Sequence, residues 1–217
     1  VARLRCPEIA YTRRKIMVEK NLAGKNAIVT GGSRGIGRGI ATSLAARGAN
    51  VAFCHYNDDA KAAQTVSELE DHGVKSYAAS CDVSAVDEIR SFYQAVVNEL
   101  GQIDILVNNA GHNITENFED ISETSFDRMI SVHQKGTFFM TQAVYKDMKR
   151  RGEGRIINVT SQLAYKGAPT LTHYCAAKGA NATFTRALAL ECAGTGILVN
   201  AVAPGVTNTD LLTTACG

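Results

Sequence analysis

Three side chains in this sequence could together move a proton to or from a carbonyl oxygen: Ser161, Tyr174 and Lys178. Tyr174 and Lys178 are four apart, so on a helix they share a face and their side chains reach one another. A phenol with an ordinary pKa of about 10 is a poor acid or base at neutral pH, but an adjacent ammonium stabilises phenolate and lowers that value. Lys178 is therefore expected to activate Tyr174, and Ser161 to donate a hydrogen bond to the oxygen that Tyr174 protonates. The chemistry implied is reduction of a carbonyl, or its reverse. The pairs Tyr11/Lys15 and Tyr145/Lys149 have the same spacing, and context separates them. Tyr11 lies in a stretch with no helical or strand period, and Tyr145 precedes the basic run Lys149-Arg150-Arg151, which reads as a solvated helix end. Tyr174 instead opens a helix whose next residues, Cys175, Ala176 and Ala177, are small enough to admit a ligand.

Carbonyl reduction needs a hydride donor, and the run Thr30-Gly31-Gly32-Ser33-Arg34-Gly35-Ile36-Gly37 is built to hold one. Glycines at 31, 35 and 37 let the backbone turn tightly and approach a ligand, while the helix that follows aims free N–H groups at a phosphate. Ser33, Arg34 and Ile36 complete the candidate cofactor contacts of this loop. The run lacks the G-K-[ST] ending of a nucleotide-triphosphate loop. It does satisfy G-x-S-x-G, the nucleophile elbow of a serine hydrolase, with Ser33 as nucleophile. That alternative is disfavoured, because an elbow serine normally follows several strands and here it follows the first. Residues Cys54 to Asn57, at the end of the second strand, include no carboxylate to accept from a ribose 2′-hydroxyl, and Arg34 stands nearby, so NADP is expected over NAD.

The elements that must position these groups alternate. Strands are expected at Asn26 to Thr30, Asn50 to Cys54, Lys75 to Ala79, Ile103 to Asn108, Arg155 to Thr160 and Leu198 to Val202, all short and apolar on both faces. Helices are expected at Ile36 to Arg47, Ala60 to His72, Val86 to Leu100, one long helix from about Phe126 to Arg150, and Tyr174 to Cys192. Ser84 with Asp87 three residues on suggests a capping box for the third. This order predicts an α/β fold: a single Rossmann-like, doubly wound parallel sheet flanked by helices on both faces.

The 217 residues, 45% apolar and 20% charged, suit one globular domain and argue against a disordered chain. No apolar stretch is long enough to span a bilayer as a helix. Of the net charge of +2, residues 1–20 carry Arg3, Arg5, Arg13, Arg14, Lys15 and Lys20 against Glu8 and Glu19, which leaves the rest slightly acidic and nucleic acid an unexpected partner. Residues 1–20 are expected to be a basic, poorly ordered appendage, and 21–217 the catalytic domain. The six cysteines form no C-x-x-C pair, so free thiols and a cytoplasmic setting are expected, with an organelle matrix as the alternative if the basic start is a presequence. No His/Cys cluster has metal-ligand spacing, and no metal is expected.

Taken in order, Thr30 to Gly37, Cys81-Asp82-Val83, Asn108-Asn109-Ala110-Gly111, Ser161, Tyr174-x-x-x-Lys178 and Pro204-Gly205 resemble the short-chain dehydrogenase/reductase family, from about residue 22 to 212. The resemblance implies that Asp82 and Val83 hold the adenine, Asn109 sits by the adenosine ribose, Lys178 also binds the nicotinamide ribose, and Gly205 to Thr207 contact the carboxamide. It implies a ketone or secondary alcohol as substrate, such as a carrier-bound 3-oxoacyl chain or a small ketone or polyol, and a homo-oligomer, dimer or tetramer. Two departures stand out. His133 replaces the Asn that in similar proteins supports a water-linked proton path. The sequence also stops where they continue into a substrate-covering segment, a helix and a last strand, so the C-terminal part is expected to be missing. These departures motivate a second reading, an NADP-binding regulatory or scaffold protein without turnover.

Overall fold

A computed structural model describes residues 19–209. Most of the basic start, the two terminal cysteines Cys6 and Cys216, and the last residues of the chain lie outside that range. Six strands form one sheet: β1 (Asn26–Thr30), β2 (Asn50–His55), β3 (Ser76–Ser80), β4 (Ile105–Asn108), β5 (Gly154–Val159) and β6 (Ile197–Val202). Their order is β3-β2-β1-β4-β5-β6, and every neighbouring pair is parallel. The chain thus winds outward from β1 in one direction and from β4 in the other. A crevice lies at the carboxyl ends of β1 and β4, where the order of the strands reverses, which is where open α/β sheets take ligands.

Helices α1 (Gly35–Ala46) and α2 (Asp59–Glu70) cover one face. On α1 the buried residues Gly37, Ala41 and Ala45 recur every four positions, a narrow small-residue stripe that lets the helix lie close to the sheet. The other face carries α3 (Val86–Leu100), α5 (Gly136–Arg151) and α7 (Thr172–Glu191), with α4 (Glu123–Ile130) and the single turn α6 (Leu163–Lys166) near the crevice. Ile89, Phe92 and Val96 of α3 and Met140, Val144 and Met148 of α5 pack against Ile28, Leu106 and Ile156 of the sheet. Burying each large apolar side chain contributes about 1.5–3 kcal/mol.

The contact face of α7 is polar instead: Lys178, Asn181 and Thr185 are all buried. A chain of hydrogen bonds explains how. Asn108 Nδ2 donates to Thr141 Oγ1 (2.9 Å) and to Asn158 Oδ1 (2.9 Å), Asn158 Nδ2 donates to Thr185 Oγ1 (2.9 Å), and Thr185 Oγ1 donates to the Asn181 carbonyl (2.7 Å). The ladder joins α5, β4, β5 and α7 and satisfies groups that would be costly to bury alone.

Three expectations need correction. The long helix is broken into α4, a π-helical turn over Ser131–Lys135, and α5; such turns concentrate at functional sites. Ser84 does not cap α3. Ala85 occupies the N-cap position, and Ser84 gives both its amide and its hydroxyl to Asp82 Oδ1 (2.9 and 2.7 Å). Finally, β1, β2 and β4 are buried on both faces, whereas β3 and β6 are the two ends of the described sheet, and Leu198 and Val202 are about half exposed.

Candidate active site

The crevice is a cleft of about 1120 Å³ running from the end of β2, over the glycine loop, to the start of α7. All three candidate catalytic residues line it, as do Gly31, Ser33, Arg34, Gly35, Ile36, Gly37, Asp82, Val83, Asn109 and Thr207. The sequence-selected residues are therefore brought together.

At the adenosine end, Gly31 and Gly35 have φ of +67° and +55°, which glycine adopts without strain. A Cβ on Gly37 would lie 2.0 Å from the Gly31 carbonyl oxygen, so the loop closes on α1 only because that position is bare. Asn109 braces the loop: its Nδ2 donates to the Thr30 and Gly31 carbonyls (3.0 and 3.1 Å), and Thr30 Oγ1 accepts from the amides of Asn109 and Ala110 (2.9 Å each). Asp82 accepts from Arg128 Nη1 (2.8 Å) as well as from Ser84. Burial pushes the Asp82 carboxyl up, but the Arg128 and Ser84 contacts outweigh it and hold it below its ordinary range. Arg128 also stacks over the Tyr56 ring at 5.5 Å. A tight, glycine-floored cradle at a helix start, flanked by apolar and hydrogen-bonding walls, fits a dinucleotide pyrophosphate.

Ser33 is where the hydrolase alternative ends. Its hydroxyl donates to Asp58 Oδ2 at 2.7 Å, a carboxylate and not an imidazole. Asp58 stands one residue past the Cys54 to Asn57 stretch that ends the second strand. Asn57, with φ of +51°, turns the chain so that the carboxylate faces the loop.

At the catalytic end, Ser161 and Tyr174 both line the cleft, with the Ser161 hydroxyl near the Tyr174 phenol. Ser161 Oγ accepts from the Leu163 amide (3.1 Å), which fixes it at the tip of β5. Lys178 is almost fully buried; its Nζ donates to the Val159 carbonyl at 2.8 Å and stands 5.9 Å from the Tyr174 ring centroid. Burial pushes Lys178 down to about 8. The expected depression of the tyrosine is not found. Burial pushes the Tyr174 phenol above its ordinary value and the nearby Ser161 hydroxyl opposes it only in part, while the Lys178 ammonium is turned to the Val159 carbonyl.

His133 sits in the π-helical turn, buried against the edge of Tyr174 with ring centroids 5.4 Å apart. A Cβ on Gly111 would lie 2.4 Å from its ring, so that glycine makes the room. Its Nε2 lies 2.7 Å from the His112 carbonyl, and its own carbonyl accepts from Asn181 Nδ2 at 3.0 Å. Burial holds the imidazole well below its ordinary value, hence neutral at pH 7. His173 is buried nearby with Nε2 3.3 Å from Glu116 Oε2, and the Glu116 amide donates to the Thr170 carbonyl (3.0 Å), tying together the two loops that wall the cleft beyond Ser161. The signal for Asn181 was in the sequence: Tyr174, Lys178, Asn181 and Thr185 follow a 4-3-4 spacing along one helical face.

A parallel sheet with a glycine-floored cleft, lined also by a serine, a tyrosine and a lysine, has the form of an oxidoreductase scaffold. The family model for short chain dehydrogenase matches residues 25–215, and the chain belongs to that family. It is 40% identical over 187 residues to the 3-oxoacyl-(acyl-carrier-protein) reductase FabG of Staphylococcus epidermidis, covering 86% of this chain and 77% of that protein. It is 35% identical over 195 residues to a hydroxynaphthalene reductase-like protein of Metarhizium acridum (89% and 72%). Among solved structures, a dehydrogenase/reductase from Sinorhizobium meliloti matches with a TM-score of 0.84 at 37% identity (90% and 77%). An actinorhodin polyketide ketoreductase variant with NADPH matches with a TM-score of 0.85 at 36% identity (88% and 73%).

Proposed function

We propose that this chain reduces a ketone to a secondary alcohol with NADPH, Tyr174 acting as general acid. The observation that carries the reading is that Ser161, Tyr174 and Lys178 line the same cleft as the glycine loop. The backbone of Gly31 to Gly37 and the start of α1 would hold the pyrophosphate, Asp82 and Val83 the adenine, Lys178 the nicotinamide ribose, and Thr207 the carboxamide. When bound, the nicotinamide supplies the hydride. Ser161 orients the carbonyl oxygen by donating to it, and Tyr174 gives that oxygen its proton. A phenol held above its ordinary value stays protonated at neutral pH, which suits a donor in the reductive direction. Lys178, with its ammonium pushed down to about 8, can return a proton to the phenolate that results.

The FabG and ketoreductase relatives support a 3-oxoacyl thioester or a polyketide-like ketone as the first substrates to try, and the family resemblance supports a homo-oligomer. Consumption of NADPH by the 217-residue chain, followed by nicotinamide absorbance across such ketones beside Tyr174→Phe, tests the reading. Equal rates in parent and variant sink it. The buried neutral His133 favours the alternative of a nucleotide binder without turnover, which predicts NADPH binding with no oxidation by any ketone.

A further inference from the structure

Two thiols that the proposed reduction does not use stand together at the adenosine end of the cleft. Cys54 of β2 and Cys81, the first residue past β3, both line it and are both almost fully buried. The strand register puts them on one face of the sheet: Cys54 is opposite Ala79, and Cys81, two residues further on, points to the same side as Ala79. That side is packed, since Ala52, Cys54 and Cys81 belong to one apolar cluster and Ala79 lies against it. The Cys81 amide donates to the His55 carbonyl at 2.8 Å, the last rung between the two strands. Each thiol acts on the other more strongly than burial does: Cys81 holds Cys54 below its ordinary value, and Cys54 pushes Cys81 up. Cys175 and Cys192, the other free cysteines among the described residues, line no part of the cleft.

We propose that Cys54 and Cys81 form a peroxide-sensitive pair, closing to a disulfide that weakens dinucleotide binding; the effect on binding rests on the function proposed above. Both thiols line the cleft, so a small hydroperoxide reaches them without unfolding of the chain. The Cys54 sulfur attacks one peroxide oxygen, the O–O bond breaks, and the other oxygen leaves with the Cys54 proton as an alcohol, or as water from hydrogen peroxide. Cys54 is then a sulfenic acid. The Cys81 sulfur attacks that sulfur, the S–O bond breaks, and the hydroxide leaves with the Cys81 proton as water. Two thiols lose two electrons and one peroxide gains them. Parallel strands lie about 4.8 Å apart and rise about 3.3 Å per residue, so a diagonal pair stands farther apart than the about 5.5 Å between the Cα atoms of an ordinary disulfide. Closing the bond therefore draws Cys81 toward β2 and pulls on Asp82, the assigned adenine contact, which is otherwise held by Arg128 and Ser84. A bridge closed under strain is readily reduced again, which makes the change reversible.

The test exposes the 217-residue chain to hydrogen peroxide and divides it for two readouts. In one portion the remaining thiols are alkylated in denaturant and the peptides are mapped by mass without reductant; the other is titrated with NADPH, read by nicotinamide fluorescence. The peptides bearing Cys54 and Cys81 are expected to be joined, dithiothreitol to separate them, and NADPH bound beforehand to slow the joining. Affinity for NADPH is expected to fall about tenfold on oxidation and to return with dithiothreitol. Cys54→Ala and Cys81→Ala each remove one partner, and either is expected to keep its own NADPH affinity through the same treatment. Cys192→Ala, buried in the same apolar cluster but away from the cleft, is expected to respond to peroxide as the parent does. Thiols that both stay alkylatable, that stop at sulfinic acid, or that join a different cysteine overturn the proposal, and so does a joined pair with unchanged NADPH affinity. If NADPH does not bind the untreated chain, the reading of the cleft falls, and the joined peptides alone decide whether Cys54 and Cys81 are a pair.

Discussion

The two ends of the cleft work by different physics. At the adenosine end the charges are paired near the surface, Arg34 with Asp58 and Arg128 with Asp82, and solvent screens them. At the catalytic end Lys178, His133 and Tyr174 are mostly or wholly buried, and loss of hydration, not a counter-charge, moves all three. The first end should therefore tune affinity in small, salt-sensitive steps, while the second should change rate or pH behaviour sharply.

The largest expected effect belongs to the buried end. Tyr174→Phe removes the proton donor and should lower kcat for ketone reduction by about 10²–10⁴-fold while NADPH titration stays close to the parent. A variant that loses binding in equal measure would place Tyr174 in the cradle and not in the chemistry. Between the two ends lies the glycine floor. Gly37→Ala puts a methyl 2.0 Å from a carbonyl oxygen and should cost about 3 kcal/mol in denaturant unfolding. Gly39→Ala, two residues along the same helix with nothing within 4 Å, should instead stabilise by about 0.5–1 kcal/mol.

Lys178 sharpens the contrast through pH. Its folded value, about 8, lies below the ordinary 10.5, so between those limits the folded chain binds fewer protons than the unfolded chain. Stability should rise with pH across that window, and the rise should vanish in Lys178→Met, which is expected to unfold at or above the parent's temperature while losing activity. The smallest effect is expected at the exposed end. Arg128→Ala should weaken NADPH a few-fold in dilute buffer and less at high salt, measured by the same fluorescence titration. A salt-independent loss would mean that Arg128 acts by packing on Tyr56.

Much of this arrangement was legible in the sequence, because the features that carry it are local. The alternation of apolar runs with helical periods located every strand to within two residues at either end, and the glycine spacing located the turn that floors the cleft. What escaped depends on contacts between distant segments. The π-helical turn at His133 is contacted by Gly111 and Asn181, far apart in the chain, and nothing in the periodicity of 126–150 records them. The direction of the Tyr174 shift was missed for the same reason: spacing shows that an ammonium is near but not that a carbonyl from β5 has claimed it. Asp58 was within reach of sequence reasoning and was lost by a margin of one residue. The expectations for residues 1–18 and for the end of the chain lie outside the described residues.

The amide and hydroxyl ladder through Asn108, Asn158, Thr141 and Thr185 has a consequence for how this scaffold tolerates change. Apolar contacts are forgiving: a methionine that shrinks or a leucine that grows lets a helix drift. A donor keyed to one acceptor is not forgiving, because sliding by a single position strands every rung in oil at once. The helix bearing the lysine is thus pinned to the strand that leads to the serine, so changes in the surrounding hydrocarbon should cost stability before they displace either one.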